Sequence, residues 1–208
     1  MASITTPKKA EAFFTGPCVF AAGAPTPESL PSEHFPEIAF IGRSNVGKSS
    51  LVNALTGKDM LARVSNTPGR TQQLNFFRLG DRMMLVDMPG YGYAKASKDA
   101  IYEWNVLIDA YLKDRGNLKR LCLLIDGRHG IKDNDREFIH KLHVYAVPFV
   151  AVITKTDKIK KAELDDVKAS VETEIKKIGP AWPKAFATSS EKGVGIDELR
   201  LFLAQYVD

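Results

Sequence analysis

One eight-residue stretch constrains this chain more than any other. Gly42-Arg43-Ser44-Asn45-Val46-Gly47-Lys48-Ser49 follows an apolar run at 38–41 and opens a helical pattern that continues to Leu55. A short continuous apolar run bounded by glycine reads as a buried strand. Gly-x-x-x-x-Gly-Lys-Ser between a strand and a helix matches the phosphate-binding P-loop. The glycines let the backbone wrap so that several N–H groups face one anion, and the helix amino terminus adds partial positive charge there. Lys48 would reach terminal phosphates, and the Ser49 hydroxyl would ligate Mg²⁺.

The chain beyond it alternates short β-rich runs with longer helical patterns, the signature of an α/β fold with a largely parallel sheet. Runs at 73–79 and 83–86, separated by a turn at Gly80-Asp81, read as a hairpin and hence an antiparallel pair. A helix is expected over 99–115, with Ile101, Trp104, Leu107, Ile108, Tyr111 and Leu112 on one stripe. Strands at 121–125, 149–153 and 185–188 alternate with three more helices, carrying Phe138 and Leu142, then Leu164 through Ile178, then Ile196 through Tyr206. Residues 56–71 lose all periodicity, and a connection that long is functional or mobile. The expected architecture is a three-layer α/β domain over 38–208, with a mixed, mostly parallel sheet, one antiparallel strand pair and helices on both faces. Residues 1–37 carry Pro17, Pro25, Pro27, Pro31 and Pro36 and read as an irregular arm, packed on the body through Phe13, Phe14, Val19 and Phe20.

At 208 residues with 44% hydrophobic and 26% charged side chains, disordered, collagenous and coiled-coil chains are excluded. No apolar stretch approaches the roughly 18 residues of a membrane span. The Lys8-Lys9 pair ahead of residues 18–24 outlines a secretion signal only crudely, because Glu11 and Gly16-Pro17 interrupt it. Cys18 and Cys122 fit neither a disulfide framework nor a zinc site and point to a reducing compartment. The net charge of +4 divides into −2 over residues 1–41 and +6 over the rest, and that +6 suits an anionic ligand without demanding nucleic acid.

Three further motifs narrow the chemistry. Asp87-Met88-Pro89-Gly90 closes a β-like run, where a carboxylate can hold Mg²⁺ through water and a glycine N–H can meet a γ-phosphate. Thr154-Lys155-Thr156-Asp157 follows a strand. A carboxylate only accepts hydrogen bonds, so Asp157 matches the N1–H and N2–H₂ of guanine and not adenine. The Lys155 stem could cover the base. Thr188-Ser189-Ser190 follows the last strand. His129 has no partner base or nucleophile in the sequence and reads as structural or exposed.

This ordered set resembles the translation-factor-related P-loop GTPases over about residues 38–206. Within them, PGRTQ, DMPGYGYAK and the single-domain size resemble the bacterial EngB family. The resemblance implies a cytoplasmic, monomeric GTP- or GDP-binding protein acting in large ribosomal subunit assembly, required for normal cell division and septation, without DNA binding or membrane insertion. It implies that Ser49 and Thr71 ligate Mg²⁺, with Asp87 acting through water, and that Gly69 and Arg70 flank the Thr71 contact. Gly90 would report the γ-phosphate, and the Ser190 N–H would meet guanine O6. Thr67 is the competing loop threonine. Lys48, Thr71 and Gly90 would carry the chemistry.

Two departures matter. Thr154 stands where many GTPases have Asn, so the amide tying this loop to the base and P-loop is absent and modest guanine affinity is expected. Tyr91 stands where a water-orienting Gln is found in Ras-like enzymes, so weak turnover is expected, aided by a partner or cation. Asn45 resembles the Asn of potassium-activated GTPases, and a loop-stabilising amide explains it equally well. Two rival readings stand beside the GTPase: a P-loop kinase, and a nucleotide-gated module in septation with negligible turnover. Lys95, Lys98, Lys119, Arg120 and the lysines of 158–161 are the candidate rRNA contacts.

Overall fold

The computed structural model describes residues 4–58, 73–92 and 97–207. Seven strands form one sheet: β1 (Cys18–Ala24), β2 (Glu37–Gly42), β3 (Leu74–Leu79), β4 (Met83–Asp87), β5 (Leu118–Asp126), β6 (Phe149–Thr154) and β7 (Phe186–Ala187), in the order β1-β3-β4-β2-β5-β6-β7. Helices α1 (Pro7–Phe14), α2 (Lys48–Thr56), α3 (Lys98–Asp114), α4 (Asp133–Val144), α5 (Lys161–Ile175) and α6 (Ile196–Ala204) cover it. β2 pairs in parallel with β4 and β5, and β6 continues the parallel set to β7. The expected antiparallel hairpin is β3 with β4, turned at Gly80 in the left-handed region, and β1 extends it with a second antiparallel contact to β3.

Strand alternation sorts the helices into two layers. Ala39 and Ile41 of β2 face a core closed by Leu107 and Tyr111 of α3, Phe138 of α4 and Ile175 of α5. Ile38 and Phe40 face the other side, against Phe14 of α1, Leu51 and Leu55 of α2 and Leu203 of α6. Every residue of β2 and β6 is buried, as strands covered on both faces require.

The expectation of an irregular arm over 1–37 is corrected in its local structure. Thr6 caps α1 by accepting the Lys9 N–H, Pro7 occupies the first turn where its missing donor costs nothing, and Ala10 and Phe14 bury one face. β1 then pairs with β3, with a bulge between Phe20 and Ala22. Phe14 is fully buried, whereas Val19 and Phe20 remain half exposed, Phe20 resting edge-on against Phe77. Only the Pro-rich run after β1, with a single 3₁₀ turn at Pro27–Ser29, matches the irregular reading.

That run is tied down by an ion pair. Glu37, at the start of β2 and 1% exposed, receives Nη2 of Arg115 at 2.6 Å, Nε at 3.0 Å and the Tyr111 hydroxyl at 2.9 Å. Nη1 of Arg115 donates to the Pro31 carbonyl at 2.7 Å. Burial and the neighbouring Glu37 carboxylate push the Tyr111 phenol far above its usual range. Both cysteines are free thiols, Cys122 buried and Cys18 partly so. Among the described residues no helix is long and apolar enough to cross a membrane.

Candidate nucleotide-binding site

The carboxyl ends of β2, β4, β5 and β6 share one edge of the sheet, so the loops after them converge there, as open α/β sheets dictate. The loop after β2 is the P-loop. Gly42 starts it with no room for a side chain, since a Cβ would lie 2.8 Å from the Leu124 carbonyl and 2.9 Å from Val46 Cγ1. Asn45 (φ 61°) and Gly47 (φ 100°) take left-handed conformations, which Asn and Gly tolerate best. The chain closes on itself through Val46 N–H to Arg43 O at 3.1 Å and enters α2 at Lys48, with Ser49 next.

β4 delivers Asp87 beside the P-loop, where its carboxylate is paired with the Lys48 ammonium. The following residues are clamped from three directions. Met88 N–H donates to Phe40 O, Pro89 O accepts the Trp104 indole N–H, and Tyr91 exchanges backbone hydrogen bonds with the P-loop, to Gly42 O at 3.2 Å and from Ser44 N at 3.1 Å. Gly90 lies so close that a Cβ there would meet Gly42 O at 2.9 Å and Ser44 N at 3.3 Å.

Tyr91 itself is turned into the core. Its ring stacks on Phe138 at 5.0 Å and its hydroxyl donates to Asp135 at 2.7 Å, while the other oxygen of Asp135 accepts the Lys132 N–H. Burial, reinforced by the Asp135 charge, raises the phenol far above its usual range, and burial raises Asp135 as well. With its proton committed to Asp135, the Tyr91 hydroxyl has none to offer a water.

The loops after β6 and β7 build the second half. Thr154 corrects the expectation that replacing Asn leaves this loop untied from the P-loop: its hydroxyl donates to the Val46 carbonyl at 2.6 Å. Lys155, left-handed at φ 58°, donates to Asn45 O at 2.5 Å and to Asp126 at 2.8 Å. Its stem runs past Gly47, whose added Cβ would sit 3.6 Å from Lys155 Cε. Burial opposes charge on Asp126, but hydrogen bonds from Arg128 and Lys155 outweigh it and hold the carboxyl well below its usual range. Thr156 N–H donates to Thr188 O at 3.2 Å, fastening the two loops together.

Asp157 accepts the Ser189 hydroxyl at 2.6 Å on one oxygen and faces the Lys158 ammonium at 3.0 Å on the other. The Ser189 hydrogen bond and then Lys158 lower its pKa, so the group is an acceptor at neutral pH. Thr188 is locked by N–H and hydroxyl bonds to Ile153 O, and Ser190 follows, half buried. Gly195 supports the turn because a Cβ there would fall 2.1 Å from Ala187 O. The structure thus gathers residues 42–49, 87–90, 154–157 and 188–190 at one edge. Gly69, Arg70, Thr71 and Thr67, with Lys95, lie outside the described residues. His129 is exposed in the turn after β5.

Sequence reasoning missed Asp126 and Asp135. The first signal was available, an Asp closing a buried strand; the second was an ordinary helix-start acid, significant only once Tyr91 is placed against it. Thr154→Val keeps the shape and removes the hydroxyl, leaving the buried Val46 carbonyl unpaired. A loss of about 1–3 kcal/mol in urea unfolding is expected; an unchanged midpoint would show that the bond contributes nothing.

Comparison with known proteins places these features in context. Residues 37–155 match the family of 50S ribosome-binding GTPases, and residues 117–208 match the elongation factor Tu GTP-binding domain. A probable GTP-binding protein EngB from Rhodospirillum rubrum is 55% identical over 92% of this chain and 85% of its own length. One from Sinorhizobium fredii is 50% identical over 98% of both chains. The crystal structure of a probable GTP-binding protein EngB superposes with a TM-score of 0.62 at 29% identity, covering 81% of this chain and 98% of that one. Aquifex aeolicus Era bound to GDP and aluminium fluoride shares the fold, with a TM-score of 0.63 at 20% identity over 84% and 57% of the two chains.

Proposed function

Because the chain belongs to the EngB family of GTP-binding proteins and has the P-loop GTPase fold, we propose that it is a slow GTPase switch acting in large ribosomal subunit assembly. Normal septation would depend on it through that role. The observation that carries the nucleotide assignment is Asp157, fixed as an acceptor by Ser189 where the loops after β6 and β7 meet. A kinase reading has no use for that arrangement. Residues 38–208 would act as the G domain, in the cytoplasm and as a monomer, with residues 1–37 adding α1 and β1 to it.

The chain's own residues divide the work. Asp157 and the Ser190 N–H would read the guanine edge, Lys155 would cover the base, and the P-loop amides other than those of Ser44 and Val46, which donate to Tyr91 O and Arg43 O, would hold the phosphates. The Lys48 ammonium, now paired with Asp87, would turn to the terminal phosphates. Ser49 and Asp87 supply a hydroxyl and a carboxylate, hard oxygen donors of the kind that fit Mg²⁺, and Asp87 already holds the Lys48 cation; Ser49 and Thr71 would be the direct ligands and Asp87 would act through water. When bound, Mg²⁺ neutralises charge developing on the phosphates. Thr71, next to Gly69-Arg70 in sequence, and Gly90 would sense the γ-phosphate, and the contact of Gly90 with the P-loop gives that sensing a short path.

Asn45 exposes its side chain on a left-handed residue. We expect K⁺ to raise GTP turnover and Na⁺ not to, with the response lost in Asn45→Asp, which tolerates the same backbone. Phosphate release measured in the two chlorides decides it, and equal rates would assign Asn45 to backbone geometry alone. The function as a whole is tested by cosedimentation with 50S particles in GTP, GDP and nucleotide-free conditions. Association in GTP that falls with GDP is expected, and no association in any state would remove the ribosome from the proposal.

A further inference from the structure

The amino ends of β5 and β6 form the edge of the sheet opposite the P-loop, and an aromatic cluster is built there around one arginine. Trp182 N–H donates to Phe149 O at 2.7 Å, which fixes it at the start of β6. Its ring lies 5.0 Å from Phe202. The Arg120 guanidinium sits 5.8 Å from the Trp182 ring and 5.2 Å from Tyr206, and its Nε donates to the Tyr206 hydroxyl at 2.8 Å. Arg120, a candidate RNA contact from sequence, is therefore spent on holding rings in place.

What it holds remains open to solvent. Trp182 is 36% exposed, with Arg120 over its ring and Phe202 tilted against it. Lys176 and Lys177 follow the end of α5 at this edge, Lys184 follows Trp182 by two residues, and Lys119 precedes Arg120; all four are exposed. The segments 116–121 and 176–187 contain no Asp or Glu. Rigid aromatic planes stack bases of any sequence, and exposed lysines are point charges for phosphates. Unpaired bases are where proteins stack aromatics on RNA, since duplex bases are not available.

We propose that Trp182 is a stacking platform for single-stranded RNA, with the flanking phosphates held by Lys119, Lys176, Lys177 and Lys184. An acidic protein would use the cations but leave the indole without a purpose. The platform rests on the ribosome reading for its biological context and not for its chemistry. Because it lies at the far edge from the P-loop, RNA there leaves the nucleotide pocket open, and GDP affinity serves as a folding control.

The sequence has two tryptophans, so Trp104→Phe leaves Trp182 as the sole tryptophan, excited selectively over the tyrosines at the red edge of the absorption band. Titration of this protein with a 15-nucleotide oligouridine is expected to quench its fluorescence saturably, with log affinity falling against log salt by about 0.7 per phosphate contact. In the otherwise unaltered protein, Trp182→Ala should weaken binding of labelled oligouridine at least about fivefold. The combined Lys176→Glu, Lys177→Glu, Lys184→Glu variant should abolish it, with GDP affinity unchanged in both. Absence of quenching, wild-type affinity in Trp182→Ala, or equal quenching by polyglutamate would overturn the platform. If wild type cosediments with 50S particles and both variants do so equally, the platform fails and the ribosome reading stands. If wild type quenches with RNA but never cosediments, the ribosome reading fails and the platform stands.

Discussion

Asp157→Asn is expected to lower GDP affinity by about 10²–10⁴-fold, the cost of two hydrogen bonds to a charged acceptor. The guanine edge offers two adjacent donors, and the carboxylate meets them with two acceptors. In the structure the Ser189 hydroxyl, 2.6 Å away, donates to Asp157. An Asn amide would turn its oxygen to that donor and present its NH₂ to the base, donor against donor. Xanthine carries a carbonyl where guanine carries N2, so the same variant should gain affinity for xanthosine diphosphate. Calorimetric titration with the two nucleotides checks both halves. Unchanged GDP affinity would remove Asp157 from base recognition, and a loss without the xanthosine gain would point to collapse of the loop.

The contrast between what was legible in sequence and what was not follows from the range of the interactions. The P-loop, DMPG, TKTD and TSS are each local: a strand end, a turn and a few side chains whose chemistry is complete within three to eight residues. Their edge-of-sheet clustering follows once the strands are parallel. The ties between them are not local. Thr154 reaches Val46 across 108 residues and Tyr91 reaches Asp135 across 44, distances set by strand register that no motif encodes. Hence a missing amide read as a missing tether, when a hydroxyl one atom shorter in reach does the job from its place on β6. The arm was misread for a related reason. β1 is an edge strand with small and half-exposed residues, so its alternation is weak, and its hydrogen-bond partner β3 lies more than fifty residues on.

That arm also carries the largest expected stability effect. Arg115→Ala would strip Glu37 of three hydrogen bonds and leave a carboxylate buried at 1% exposure. Breaking such a pair from one side costs about 3–5 kcal/mol. At about 2–4 °C per kcal/mol for a domain of this size, the melting temperature should fall by roughly 6–20 °C. The same change frees Pro31 and removes the guanidinium lying over Phe76, loosening the Pro-rich run from α3. Glu37 opens the strand that ends at Gly42, so the damage should reach the P-loop, and GDP should repay part of it, by about 2.7 kcal/mol at a hundred times its dissociation constant. Calorimetric scans with and without GDP separate these contributions. The pair's own coupling comes from Arg115→Met combined with Glu37→Gln: a double variant less damaged than Arg115→Met alone shows that the orphaned charge, not lost packing, does the harm. A melting temperature within 2 °C of wild type for Arg115→Ala would mean that water reaches Glu37 and that the arm is not anchored through this pair.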